Sequence, residues 1–449
     1  MVEATGFFWQ QHAAAEQLFV DALDDLTRKN RTLANFRRRL AEQASCRLID
    51  WVDYLQLPDT PALQERLETL GFLRQPFGGH AAYYHPGALL PAMLLAPNAM
   101  NVHSAVALRV DSAADFLQAN HFDAVIEGSP SSPLRRARCH CEGGVELCVV
   151  ERRGNLGFDP ATRPAHWLQN YLAAVELWQT RPRLGVDEDR LWLETFRRAE
   201  QLVARLGVDL AAHVVCLGER RYWQTRNAAG QMQKSRQDAL GLGWGNHDHH
   251  TFRSSRRHFA RLVKLFTRLG FVARERFYAG DQAGWGAQVM ENRAAGLSLF
   301  LDVDLAPEEV ETDFSREELP ERETLGTVGL WCALHGDSIF AAGMHHIAAR
   351  CDFHRLSADL ARLGIPFMAP FSDFPWLKQA FSVVERWPVD ADRLETLVIK
   401  KLLSREQADK FLAEGAIGSH LENIQRDEGY KGFNKNNVSA IIRKTDPRI

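Results

Sequence analysis

No stretch of this chain approaches the ~18 uninterrupted apolar residues of a membrane span, and Met1 to Gln10 contain no basic segment leading into an apolar core. Neither a spanning helix nor a secretory leader is therefore expected. A surplus of one charge is also missing: 54 Lys and Arg stand against 57 Asp and Glu, a net −3. That gives no electrostatic reason to expect nucleic acid or an anionic membrane surface as partner. Cysteine is scarce and odd in number, seven in 449 residues, without the spacing of a disulfide scaffold. Reduced thiols and a cytoplasmic setting follow. Cys139-His140-Cys141 has no second pair nearby to complete a soft-metal site.

What is present is the composition of a soluble globular protein, 45% apolar and 25% charged, in a chain long enough for two or three domains with real cores. The clearest pattern is a duplication. His249 lies in Asp248-His249-His250-Thr251-Phe252-Arg253 and His346 in His345-His346-Ile347-Ala348-Ala349-Arg350. Each histidine opens a short extended run with an arginine four residues on. Each run is followed by an apolar-periodic helix that ends in Leu-Gly, at Leu269-Gly270 and Leu363-Gly364. A strand-helix-strand unit used twice, with imidazole at the same place, is a means of bringing two half-sites to one metal.

Residues 1–95 read as a helical N-terminal region, with Leu18, Phe19, Ala22, Leu23 and Leu26 on a 3.6 period and a second periodic run from Leu33 to Leu57. Residues 96–160 read as a degenerate first unit, and 161–242 as a helical insert in which the polar stretch Asn227 to Asp238 is a loop. Residues 243–449 hold two clear units, with strands expected at Val328–Ala333 and Ser338–Ala342 and a solvated acidic linker at Pro307–Glu323. The three repeats begin near 101, 245 and 343. Aligning Arg109 with Arg253 sets Ala105 opposite His249, with His103 two residues upstream on the same strand face.

The duplicated unit resembles the βαβββ module of the vicinal oxygen chelate superfamily, and the C-terminal half resembles the 4-hydroxyphenylpyruvate dioxygenase family. The residues that carry the likeness are Asp248-His249-His250, Gly343-Met344-His345-His346-Ile347-Ala348, Leu421-Glu422-Asn423-Ile424-Gln425-Arg426 and Gly432-Phe433-Asn434. The resemblance implies an α+β fold of repeated βαβββ (glyoxalase/dioxygenase-like) modules with N-terminal and inserted helices. It implies His249, His346 and Glu422 as ligands of Fe(II), and Phe433 at the substrate. By strand parity Arg253 and Arg350 share a face with the histidines, where either could grip a substrate carboxylate. The implied activity is a dioxygenase reaction between O2 and a 2-oxo acid or similar chelating small molecule.

A non-catalytic protein that binds a small ligand in the cup is one alternative, and two others stay open. One is a lyase or isomerase of glyoxalase type, using Zn2+, Ni2+ or Mn2+. The other is a site made of His103, His249 and Glu291, similar to the 2-oxoadipate dioxygenase/decarboxylase group. Glu385 and Glu151 share the Val-(Val/Met)-Glu form of Glu291, which on its own marks strand ends facing water. The chain departs from the dioxygenase pattern at His345, Ala287 and Asp302 and in Phe433-Asn434-Lys435-Asn436-Asn437, so 4-hydroxyphenylpyruvate itself is not implied. Assembly into a homo-oligomer is left open.

Overall fold

A computed structural model of the chain describes residues 9–77, 80–97, 104–185, 187–279, 284–309, 311–434 and 438–448. Four times along it a strand is followed by a helix and then by three more strands. After α1 (Ala13–Lys29) and α2 (Arg31–Ala44), the first such module is β1 (Val52–Pro58), α3 (Pro61–Thr69), β2 (Leu73–Phe77), β3 (His80–Tyr84) and β4 (Ala92–Ala96). The second is β5 (Ser104–Arg109), α4 (Ala113–Asn120), β6 (Ile126–Glu127), β7 (Leu134–Glu142) and β8 (Val145–Arg152). Four helices follow: α5 (Trp167–Gln179), α6 (Glu188–Leu206), α7 (Val208–Gln224) and α8 (Ala228–Asp238). The third module is β9 (His247–Arg253), α9 (Phe259–Arg268), β10 (Val272–Ala279), β11 (Trp285–Asn292) and β12 (Leu297–Asp304).

Helix α10 (Thr327–His335) leads to the fourth module, which opens with β13 (His346–Arg350), α11 (Phe353–Arg362), β14 (Ser372–Phe374) and β15 (Leu377–Phe381). An excursion through β16 (Arg386–Trp387), α12 (Ala391–Ile399), α13 (Arg405–Glu414) and β17 (Ala416–Ile417) precedes its last strand, β18 (His420–Arg426). Helix α14 (Val438–Lys444) closes the chain.

The modules pair into two eight-stranded sheets, ordered β2-β3-β4-β1-β5-β8-β7-β6 and β10-β11-β12-β9-β13-β18-β15-β14. At the centre of each, the first strands of two modules run antiparallel, β1 with β5 and β9 with β13. Each first strand then pairs in parallel with the last strand of its own module. Two equivalent halves thus meet on one local axis, the α+β, paired-βαβββ architecture of the vicinal oxygen chelate type.

Four local readings are corrected. The stretch before residue 95 holds a complete module as well as helices. Strand β1 is buried on both faces at its start, at Val52, Tyr54 and Leu55, so it lacks the polar alternation that marks a half-exposed strand. Residues 228–238 form a helix, not a loop: Asn227 caps it by accepting from Gly230 N at 2.7 Å, and Gln233 and Gln237 are buried in amide hydrogen bonds. Val328–Ala333 belongs to a helix, and Ser338–Ala342 lies in turns. Helix α10 is buried nearly all round, so its apolar run carries no period. The Asp304 carboxylate starts it by accepting from Gly326 N and Val328 N at 2.7 and 3.0 Å. Within the acidic stretch Phe314 and Leu319 are buried, so it is anchored rather than merely solvated.

The chain passes between the halves at Gly241-Leu242-Gly243-Trp244-Gly245. Gly241 has φ +73°, and a Cβ there would lie 2.4 Å from Phe116 Cα and 2.6 Å from Asp115 O. A Cβ on Gly245 would lie 2.3 Å from Arg109 O. The contact is with backbone, which cannot rotate away. Gly241→Ala is therefore expected to cost about 2–4 kcal/mol through overpacking and left-handed strain. An unchanged denaturation midpoint would contradict this packing of the seam.

Candidate metal centre

Strand β9 pairs with β13 as Thr251↔His346 and His250↔Ile347, then as His247↔Ala349, with a register shift between. Two residues of β9, Asp248 and His249, thus stand opposite one of β13, Ala348. This is a β-bulge, a device that re-aims side chains. It leaves His249 and Thr251 on one face of β9 and turns His247 to the other with His250, the two rings lying 5.3 Å apart. On the far side of β13, Ala348 pairs with Glu422 of β18. The small Ala348 side chain lets His249 and Glu422 converge over it.

His249 Nε2 lies 3.2 Å and His346 Nε2 3.1 Å from Glu422 Oε2. One ligand atom from each of the three lies within 4.8 Å of the others, and all three residues are buried. Two ligand atoms at neighbouring corners of an octahedron with bonds of ~2.1 Å stand about 3 Å apart. The printed distances have that size, and the donor set of two imidazoles and a carboxylate suits a divalent first-row metal.

A second ring of side chains aims the three. Asp248 Oδ1 accepts from His249 Nδ1 at 2.9 Å, and Arg426 holds Asp248 through Nε and Nη2 at 2.8 and 3.0 Å. Gln379 Nε2 donates to Glu422 Oε1 at 2.7 Å, leaving Oε2 for the imidazoles. His346 Nδ1 meets His345 Nδ1 at 3.0 Å, and Thr251 Oγ1 lies 2.8 Å from His346 Nε2. For Nε2 to offer its lone pair to a cation, the His346 proton must sit on Nδ1 and be donated to His345.

Burial alone would lower the His249 pKa, but the charge of Glu422 and the bond to Asp248 outweigh it and raise it to about 9. Burial lowers His346 to about 4. Glu422 is pushed up by burial yet held below the usual carboxylate range by His249 and His346. Without a metal the group is thus one imidazolium, one neutral imidazole and one carboxylate.

These donors face a cavity walled by Trp285, Phe300, Phe371, Phe381, Phe433 and Ile441, with Asp302 among its few polar groups. Asp302 is buried, one of its oxygens has no hydrogen-bond partner, and burial raises its pKa to about 7 against the pull of Arg253. Phe433 stands edge-on to His249, ring centroids 5.2 Å apart.

Other expected residues lie elsewhere. Arg253 does not line the cavity; it is buried beside Trp331 and donates to Thr445 Oγ1 at 3.2 Å. Arg350 is half-buried and also outside the lining, because parity sets a face and not a reach. Glu291 is drawn to Lys431 at 3.0 Å, and His103 lies outside the described residues. Glu385 accepts from Ala228 N. Glu151 is 1% exposed and faces no water: it accepts from Ala113 N at 2.7 Å and pairs with Arg135 and Arg153. Sequence reading did not find the roles of Asp248, Thr251, Gln379 or Arg426. An acid directly before His249 was the one available signal.

The first sheet repeats the plan without the donors. Its central pair has the same shift, between Val52 and Tyr54, leaving Asp53 in the bulge. Arg152 grips Asp53 at 2.6 and 2.9 Å, as Arg426 grips Asp248. In that register Tyr54, Ala105 and Cys148 take the places of His249, His346 and Glu422. Ala105 thus corresponds to His346, not to His249, and Arg109 to Arg350, not to Arg253. Phe158 fills this cup, its ring 5.2 Å from that of Tyr54.

No protein-family model and no curated protein sequence matches the chain. Similar solved structures include a mutant 4-hydroxymandelate synthase from Streptomyces coelicolor, 13% identical, covering 88% of this chain and 98% of that one, TM-score 0.30. A xylose isomerase-like TIM barrel/4-hydroxyphenylpyruvate dioxygenase fusion protein is 13% identical over 91% of this chain and 55% of that one, TM-score 0.25. Methylmalonyl-CoA epimerase from Mycobacterium tuberculosis is 10% identical over 40% and 87%, TM-score 0.23. The fold class rests on the strand order and not on these likenesses. Among the described residues no helix is long and apolar enough to cross a membrane.

A cation entering between these atoms must displace the His249 proton. Divalent-metal affinity is expected to rise about tenfold per pH unit up to about pH 9 and to level above it. The metal-free protein runs the other way. A histidine whose folded pKa is raised contributes stability that is complete below ~6.5 and is lost as pH climbs through about 9. Metal titrations and thermal melts across pH 6–10 check both signs. Asp248→Asn is expected to weaken metal binding ~10–100-fold by freeing the His249 ring; wild-type affinity would contradict the orienting role.

Proposed function

We propose that this chain is a mononuclear Fe(II)-dependent oxygenase acting on a 2-oxo acid or a similar chelating small molecule, with His249, His346 and Glu422 as the metal ligands. The observation that carries the reading is the convergence of His249 Nε2, His346 Nε2 and Glu422 Oε2, buried, at the floor of an aromatic-walled cavity. His249, His346 and Glu422 would hold the Fe(II), and the ion would supply the chemistry by which a chelating keto acid reacts with O2.

The chain's own part is binding and exclusion. Asp248 and Gln379 hold the ligands in orientation. Phe300, Phe371, Phe381 and Phe433 keep water out and receive a flat apolar body. The cavity measures about 50 Å³. Arg253 and Arg350 do not line this space.

Anaerobic loading with Fe(II), then O2 uptake with a panel of 2-oxo acids, tests the reading. Substrate-dependent uptake with Fe(II) and not with Zn2+ is expected. Turnover without O2 would instead indicate a lyase or isomerase, and no uptake with any acid would reject the oxygenase. Glu422→Ala is expected to lose metal retention, whereas Glu291→Ala keeps it; the reverse result would move the carboxylate to Glu291.

A further inference from the structure

The polar groups of the cavity lining are few, and one of them has nothing to bind. At the metal end Gln379 Nε2 is engaged with Glu422. Strand β12 carries Phe300 and, two residues further on the same face, Asp302, and both line the cavity. The Phe300 ring lies 5.6 Å from that of His249. Because β12 runs parallel to β9, with Leu299 beside His250 and Asp302 beside Arg253, Asp302 lies beyond Phe300 from the metal ligands. Two residues of strand separate them, about 6–7 Å.

Asp302 is 4% exposed, and its Oδ1 has no hydrogen-bond partner. No ion pair reaches it among the described residues. Arg253, its neighbour in register, is turned to Thr445 Oγ1 and the Trp331 ring. Across β11 the facing residue is Ala287, whose methyl group can neither donate nor accept. Burial without a matching cation holds the Asp302 pKa up at about 7. A carboxyl buried in this way is costly unless something completes it, and its free oxygen belongs to a residue that lines a cavity.

The chemistry of the lining narrows what completes it. An ionised carboxylate only accepts hydrogen bonds; an amino group brings two or three N–H donors to it, a hydroxyl only one. Aromatic rings attract positive charge through their faces, and Trp285, Phe300 and Phe433 wall the same space. We infer that Asp302 is the specificity-determining residue of this cavity and selects a substrate whose end remote from the metal carries an amino group. The inference rests on reading the cavity as the substrate site, and it narrows the substrate to a flat 2-oxo acid that bears an amine. The rival occupant is a hydroxyl, because Trp285 Nε1, in the same lining and also without a partner, could donate to its oxygen.

The test is calorimetric titration of the full-length protein, metal-free and loaded with redox-inert Zn2+, with benzylamine, benzyl alcohol and toluene near neutral pH. Benzylamine is expected to bind at least about tenfold more tightly than benzyl alcohol, and toluene more weakly than either. Asp302→Asn keeps the shape and removes the charge; it should lose the preference for the amine. Metal-free Glu422→Ala should keep that preference, which shows that the amine does not sit on the metal-ligand carboxylate. The readout needs neither iron nor O2. Amine binding through Asp302 without O2 uptake would keep this inference and reject the oxygenase, whereas O2 uptake without the amine preference would do the reverse. The inference is overturned if benzyl alcohol binds as tightly as benzylamine, if Asp302→Asn retains the preference, if Glu422→Ala alone abolishes it, or if none of the three binds below ~10 mM.

Discussion

One inserted residue in β9 governs both faces of the second sheet. Were the strand regular, His247 and His249 would share a face and Asp248 would point away from them. Two residues of β9 set against Ala348 break that alternation. Asp248 and His249 then stand together on the cup side, where adjacent residues of a strand cannot normally touch, and His247 is released to join His250 behind. The Asp248–Arg426 pair is buried on both sides. Breaking either half would leave an uncompensated charge, and that cost locks the distortion in place. The convergence of His249 with Glu422 and the turning of His247 to the opposite face are two consequences of this kink.

The first sheet shows which parts of the plan belong to the fold and which to chemistry. It keeps the bulge, and it keeps an arginine from the last strand of a module on the bulged aspartate, Arg152 on Asp53. It does not keep the donors. Tyr54, Ala105 and Cys148 are packed with Phe158 in an apolar cluster. The aspartate–arginine clamp is therefore a means of closing two modules on each other, whether or not the three donors are present beside it. The inserted helix α8 has a matching role: its buried Gln233 and Gln237 donate to Ala44 O and Gly243 O.

Much of the candidate site is legible in the chain because its signals are local. A histidine at the head of each repeated unit, an aspartate directly before one of them and the run Glu422-Asn423-Ile424-Gln425-Arg426 are patterns of adjacent residues, and they locate three residues that the fold brings together. Glu291 is the rival carboxylate to Glu422 that the sequence leaves open. The geometry distinguishes them, since Glu422 pairs in register with Ala348 while Glu291 is drawn to Lys431. Arg253 and Arg350 lie on the expected strands without lining the cavity, because parity gives a face and says nothing of depth.

By itself the sequence determined the amphipathic helices, the repeat of the third and fourth modules and the identity of the imidazoles, since each is set by residues within one turn or one strand of each other. The first module, the buried helix α10 and the correspondence of Ala105 with His346 were decided by tertiary structure. Segments buried on all sides show no period, and which strands lie side by side depends on contacts far apart in the chain. The bulge belongs to the same class. An extra residue in a strand has no mark of its own until the partner strand beside it fixes the count.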